Sequence, residues 1–254
     1  MTTHDTSSTT AGRASGVGAA AGGGTDAAGA TPATTPASIA VSRVRPQPRG
    51  WALAGIAAGV TGLVGIQASM ALGVNWEETA GDADAIIADL SGRTATLLLF
   101  HTATILSALL AVVFAAGLSR RLSQQAPAGS LLPSVASGGL LLVAVAGLLG
   151  SGLDTQFMFG LADVDLIVPE SGAFFSDWIA TIPWLWVGAG LSGVAVAVAA
   201  LRHAAAPRWL GWVGAVLGGL TLLLGISPLQ YMAGFTGPLW LLLTAIGFAV
   251  GDRR

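Results

Sequence analysis

The sequence predicts an all-α fold: a polytopic membrane bundle of six transmembrane helices with both termini cytoplasmic. Three observations carry that prediction. Six apolar runs occur at 51–72, 96–118, 135–154, 178–201, 210–228 and 236–251, most of them close to the ~20 residues a helix needs to cross a hydrocarbon core. Ten of the 11 Arg lie on one alternate set of connecting segments, and ten of the 13 carboxylates lie on the other. The chain is 53% hydrophobic and 9% charged, with a mean hydropathy of +0.74, a composition suited to a bilayer. Strands are a poor alternative. The runs are continuously apolar rather than alternating, and an open sheet in lipid leaves backbone groups unpaired.

The elements follow in order. Residues 1–48 are Thr, Ala, Gly, Ser and Pro with almost no large apolar side chain. Such a segment buries too little surface to offset its ordering entropy, so it reads as a disordered cytoplasmic tail. No apolar h-region precedes Trp51, so it does not read as a signal peptide. Residues 49–254 form the six-span transmembrane domain. Arg43, Arg45 and Arg49 precede span one. Glu77, Glu78, Asp82, Asp84 and Asp89 follow it, and Ile86 and Ile87 suggest a short interfacial helix over 82–89. Span two ends before Arg120 and Arg121. Span three leads into a second acidic connection bearing Asp154, Asp163, Asp165, Glu170 and Asp177. Span four carries Pro183, which predicts a kink. Arg202 and Arg208 separate it from span five, which ends at Ser227-Pro228. Span six is the shortest and borrows residues from its flanks, before Arg253 and Arg254.

Every short Arg-bearing segment gives the same orientation under the positive-inside rule, with the acidic connections outside. Arg93 is the single basic residue among them. Trp51, Trp209 and Trp212 fall at one predicted boundary and Trp76, Trp178 and Trp184 at the other, which reads as an aromatic belt. Gly55 and Gly59, Gly214 and Gly218, and Gly247 and Gly251 recur at four-residue spacing. That spacing lets helices approach closely in lipid, within one chain or between two.

The candidate chemistry is sparse. His101 is the one His inside a predicted span. An imidazole at that depth is costly unless it is paired or faces water. It is therefore either a functional group or the donor of a structural interhelical hydrogen bond. Asp154 and Gln156 follow span three, Asp177 precedes span four, and Gln230 and Tyr231 follow span five. With His101 they lie in the outer half and are the candidate lining of one polar cup. Asp177 also suits the N-terminus of span four, where the helix dipole favours an anion. A His near Asp can bind a proton, a metal ion or a small polar ligand. One His and two Asp without metal-ligand spacing do not make a zinc motif, so no metal and no cofactor is expected.

Several function classes fall away. The chain has no Cys, hence no disulfide, thiol nucleophile or thiolate metal site. It has no Lys, hence no Walker-type phosphate loop. The segregated charge argues against nucleic acid as a partner. Gly190-Leu191-Ser192-Gly193 looks like the Gly-x-Ser-Gly of rhomboid proteases, but span six lacks the His that would activate the Ser. Glu77-Glu78 resembles the paired Glu of another intramembrane protease group, but it lies in a loop and lacks the downstream Arg. No complete catalytic constellation remains, so the sequence leans away from an enzyme.

The stretch from Phe174 through Trp186, the turn Pro207-Arg208-Trp209-Leu210-Gly211-Trp212, and Ser227-Pro228-Leu229-Gln230-Tyr231 resemble an uncharacterised family of multi-pass membrane proteins of actinobacteria, a domain of unknown function. The resemblance covers 51–251 and implies a bacterial plasma membrane. It brings no catalytic residues. The sequence reading is thus an integral plasma-membrane protein, a small binding, sensing or accessory subunit with an outward polar cup. Its partners are the lipid bilayer and, through the Gly-rich helix faces, a membrane protein or a second copy. The alternative is a small proton-coupled transporter using His101 and Asp154, ahead of a membrane enzyme.

Overall fold

The computed structural model describes residues 49–79 and 81–251, with Trp76 described in its backbone alone. The predicted tail, 1–48, lies outside the described residues. All regular structure among them is helical, and six helical segments are long and apolar enough to span a membrane.

Span one is α1, Gly50–Leu72. Its buried face is built from small residues, and the neighbours use the space. A Cβ at Gly55 would fall on the Phe114 ring, one at Gly59 on the Leu242 backbone, and one at Gly62 on Pro238 and Ser107. Two helices therefore seat against the glycine face of α1. These are α4, Thr94–Ser123, and α11, Ala233–Gly251. Between α1 and α4 lie the one-turn α2, Trp76–Thr79, and α3, Ala83–Ser91. The predicted interfacial helix is α3. Asp82 caps it, its carboxylate accepting the Ala85 N–H at 3.1 Å.

Arg93 has a structural task that explains its place among the acids. Its guanidinium donates to the carbonyls of Ala71 (3.0 Å) and Gly73 (3.1 Å) and pairs with Asp89. It thereby ties the last turn of α1, whose carbonyls lack intrahelical donors, to the start of α4.

Spans three and four depart from continuous rods. Span three is α5, Leu132–Gly150, broken at 151–153 and resumed as α6, Asp154–Gly160. Span four begins earlier than predicted. α7 runs over Pro169–Thr181, a 3₁₀ turn over Ile182–Trp184 follows at Pro183, and α8 covers Val187–His203. The kink expected at Pro183 is a full break, because Pro supplies no N–H to the preceding turn. Asp177, expected at a helix N-terminus, is instead exposed in the interior of α7. The helix start is taken by Pro169, whose fixed φ suits a first turn.

Span five contains α9, Arg208–Val213, a π turn over Gly214–Gly218, and α10, Gly219–Ile226. The π turn packs on α8. A Cβ at Gly218 would meet the Gly193 backbone, and one at Gly214 would meet the Gly193 carbonyl oxygen. A Cβ at Gly247 would meet Leu210 and Trp209, and Gly251 sits near Pro207. The paired glycines thus meet neighbours within the chain. Among the described residues α10 is the most lipid-exposed span, with Leu220, Leu223 and Ile226 outward.

The aromatic belt is also corrected in part. Trp209 and Trp212 are exposed as a belt requires, whereas Trp51 and Trp184 are core residues, 8% and 2% exposed. Trp51 stacks on Phe114 with ring centroids 5.4 Å apart and meets Phe248 at the same distance. Gly117 makes room, since a Cβ there would fall on the indole. With buried Leu118 and Leu122, these rings close the Arg-bearing end of the bundle.

Candidate polar site at the acidic end

His101 lies seven residues into α4, about 10 Å along the axis from Thr94 at 1.5 Å per residue. The break at 151–153 turns the chain so that Asp154 opens α6 inside the bundle rather than at its surface. The two side chains meet, His101 Nδ1 standing 3.1 Å from Asp154 Oδ2. Asp154 is fully buried, while the His101 side chain is 21% exposed. With the carboxylate ionised, Nδ1–H is the donor, and His101 Nε2 then has no protein partner.

Asp154 Oδ1 is buried and has no partner in the protein. A buried carboxylate is costly unless its lone pairs are engaged. One imidazole contact engages one oxygen. The other is a vacant acceptor, or on protonation a donor.

Polar groups continue down the same stripe of α4. Thr104 follows His101 and Ser107 follows Thr104 at i+3, the spacing of neighbours on a helix surface, so the stripe winds gradually around α4. Thr104 is buried, its Oγ1 has no partner, and it borders a void of about 20 Å³ with Ser107, Gly62, Gly65 and Gly147. Ser107 Oγ donates to the Ala58 carbonyl at 2.9 Å. The stripe was readable in the sequence as His-x-x-Thr-x-x-Ser, but Thr and Ser are unremarkable in membrane helices and gave no signal alone. Below Ser107 the face continues as Ala111, Phe114 and Leu118, all buried.

Neighbouring contacts tie together the elements that carry Asp154. Phe157, one turn after Asp154, stacks on Phe175 of α7 with centroids 4.1 Å apart. The Trp178 indole N–H donates to the Gly150 carbonyl at 2.8 Å, tying α7 to the end of α5.

The remaining cup residues do not join the pair. Gln156, two residues beyond Asp154 and so on another face of α6, is exposed, as is Asp177. Gln230 and Tyr231 are half-buried in a 3₁₀ turn, Gln230–Met232. The Tyr231 hydroxyl stands 3.5 Å from Ser69 Oγ, in a separate cleft between the end of α1 and α7. Trp184 touches both neighbourhoods, with Phe100 at 6.1 Å and Tyr231 at 5.7 Å between ring centroids. Sequence depth alone placed six polar residues at one level. Side-chain direction pairs His101 with Asp154, puts Tyr231 in a hydroxyl-lined cleft, leaves Gln156 and Asp177 exposed and Gln230 half-buried outside both. Among the described residues no group of three or more His, Asp or Glu side chains is placed to hold a metal ion.

No family model, no curated protein and no solved structure matches this chain.

Proposed function

We propose that this integral membrane protein is a small binding, sensing or accessory subunit of a plasma membrane, and that the His101–Asp154 pair is its responsive group. The observation that carries the reading is Asp154 itself. It is a fully buried carboxylate with one oxygen on His101 and the other uncommitted. An ionisable group inside a membrane bundle is expensive to keep, which favours a functional role. In this reading the acidic end faces outward and both termini are cytoplasmic, as the Arg bias directs.

The Thr104 void below the pair favours the rival reading, a proton-coupled transporter. The aromatic closure formed by Trp51, Phe114 and Phe248 argues against it, because a path from Ser107 to the Arg-bearing end meets packed apolar side chains. Proteoliposomes loaded with a pH-reporting dye separate the two. Subunits of the proposed kind give equal proton leak for the native chain and for His101→Asn, while amide exchange across 151–160 rises in the variant. A proton flux that His101→Asn removes would establish the transporter instead. Unchanged exchange would mean that His101 does not hold the 151–160 segment, and would remove the pair as the group through which the subunit responds.

A further inference from the structure

The cleft that holds Tyr231 is a second site, separate from the His101–Asp154 pair. Its volume is about 340 Å³, within the ~300–1,000 Å³ typical of small-molecule pockets. Its apolar walls include Leu72, Val74, Ile179 and Ala180, and it contains three hydroxyls, those of Ser69, Ser176 and Tyr231. Ser69 and Ser176 are 5% and 6% exposed.

The hydroxyls are under-used. Ser176 makes no hydrogen bond within the protein, and its hydroxyl, unlike that of Thr104, is not shut off from the cleft. Ser69 Oγ reaches the Ile179 carbonyl and the Tyr231 hydroxyl at 3.5 Å each, the outer limit of a hydrogen bond. Buried hydroxyls normally find better partners. The Tyr231 ring is held edge-on between Trp184 and Phe235, so its hydroxyl is a fixed point rather than a mobile one.

Charge restricts the occupant. Among the described residues the lining carries no Asp, Glu, Arg or His. Arg93, which reaches the Gly73 carbonyl at the edge of the cleft, is already paired with Asp89. Exposed Glu77 and Glu78 lie in α2, just beyond Val74. An anion would enter a site without a free counter-charge and beside carboxylates, and a cation would find no carboxylate in the lining. We propose that this cleft binds an uncharged amphiphile, a molecule with an alcohol or carbonyl oxygen on an apolar body. The oxygen is held by Ser69, Ser176 and Tyr231, and the body lies along the Leu72–Val74 and Ile179 walls.

The probe is octanol carrying a photoreactive diazirine, applied to the full chain in lipid nanodiscs, with labelled residues mapped by mass spectrometry. Saturable labelling confined to the cleft lining is expected. Octanol should compete, while octanoate and octylammonium compete at least about tenfold more weakly because each must bury a charge. Ser176→Ala should weaken labelling about fivefold, the worth of one hydrogen bond, with Ser69→Ala as an independent second variant. His101→Asn should leave labelling unchanged. Unsaturable labelling spread over the lipid face of α10 would overturn the proposal, as would octanoate competing as well as octanol. Neither result depends on a variant folding. Loss of labelling in His101→Asn would overturn the separation of the two sites.

Discussion

A wholly buried aspartate paired to one histidine is sensitive to which partner is removed. His101→Ala leaves the Asp154 carboxylate buried without its single protein partner, and the expected loss is about 3 kcal/mol of unfolding free energy. Asp154→Asn keeps a side-chain oxygen to accept from Nδ1–H and buries no charge, so the loss should be about 1 kcal/mol. Equilibrium unfolding in mixed micelles measures both. Equal losses would mean that the carboxylate is not the costly member of the pair. At this scale the sequence marked His101 and Asp154 by depth alone. It did not mark Ser69 or Thr104, because a hydroxyl in an apolar run costs little and its importance depends on what it is left facing.

Helix contacts in this chain depend on individual glycines, and two adjacent positions in α5 show how sharply. A Cβ at Gly139 would fall on the carbonyl oxygen of Gly188 in α8, whereas Gly138 has nothing within 4 Å of that position. The contact at Gly139 is with backbone, which cannot rotate away. Ser192 Oγ also bonds the Ala136 carbonyl at 2.7 Å across the same interface, so separating the helices breaks that bond as well. Gly139→Ala should therefore lower stability by about 2–3 kcal/mol as an overpacked core change. Gly138→Ala should be neutral or stabilising by up to about 1 kcal/mol. Thermal melting in detergent distinguishes them. The sequence offered Gly pairs at four-residue spacing, but it could not choose between a chain's own helices and a second copy. Gly139 belongs to no such pair. The π turn over Gly214–Gly218 was also unreadable, since that run is continuously apolar, and the break at 151–153 had only Ser151 and Gly152 to mark it in a chain rich in Gly.

For the whole molecule the main expectation is orientation. The native absence of Cys makes it simple to test. Ala88 is exposed on α3 at the acidic end, and Ala128 is exposed in the connection after α4 at the Arg-bearing end. In intact cells Ala88→Cys should react with an impermeant maleimide and Ala128→Cys should react only after the membrane is opened. The reverse pattern would invert the topology and place the His101–Asp154 pair toward the cytoplasm.

The sequence by itself determined the number of spans, their approximate limits, the segregation of charge and the depth of His101. Each of these follows from one-dimensional quantities: run length against bilayer thickness, and the positions of Arg along the chain. Only the tertiary structure decided which polar groups share a site. Six residues at a similar depth occupy different azimuths. Rotation about each helix axis is set by glycine contacts such as Gly139 on Gly188 and by breaks such as that at Pro183. Those features bring Asp154 onto His101, leave Gln156 and Asp177 exposed, and give Tyr231 to Ser69. The same logic moved Trp51 and Trp184 from the expected belt into the core. Linear position fixes a residue's depth, but the packing of neighbouring helices fixes whether its side chain points to lipid, to water or to a partner.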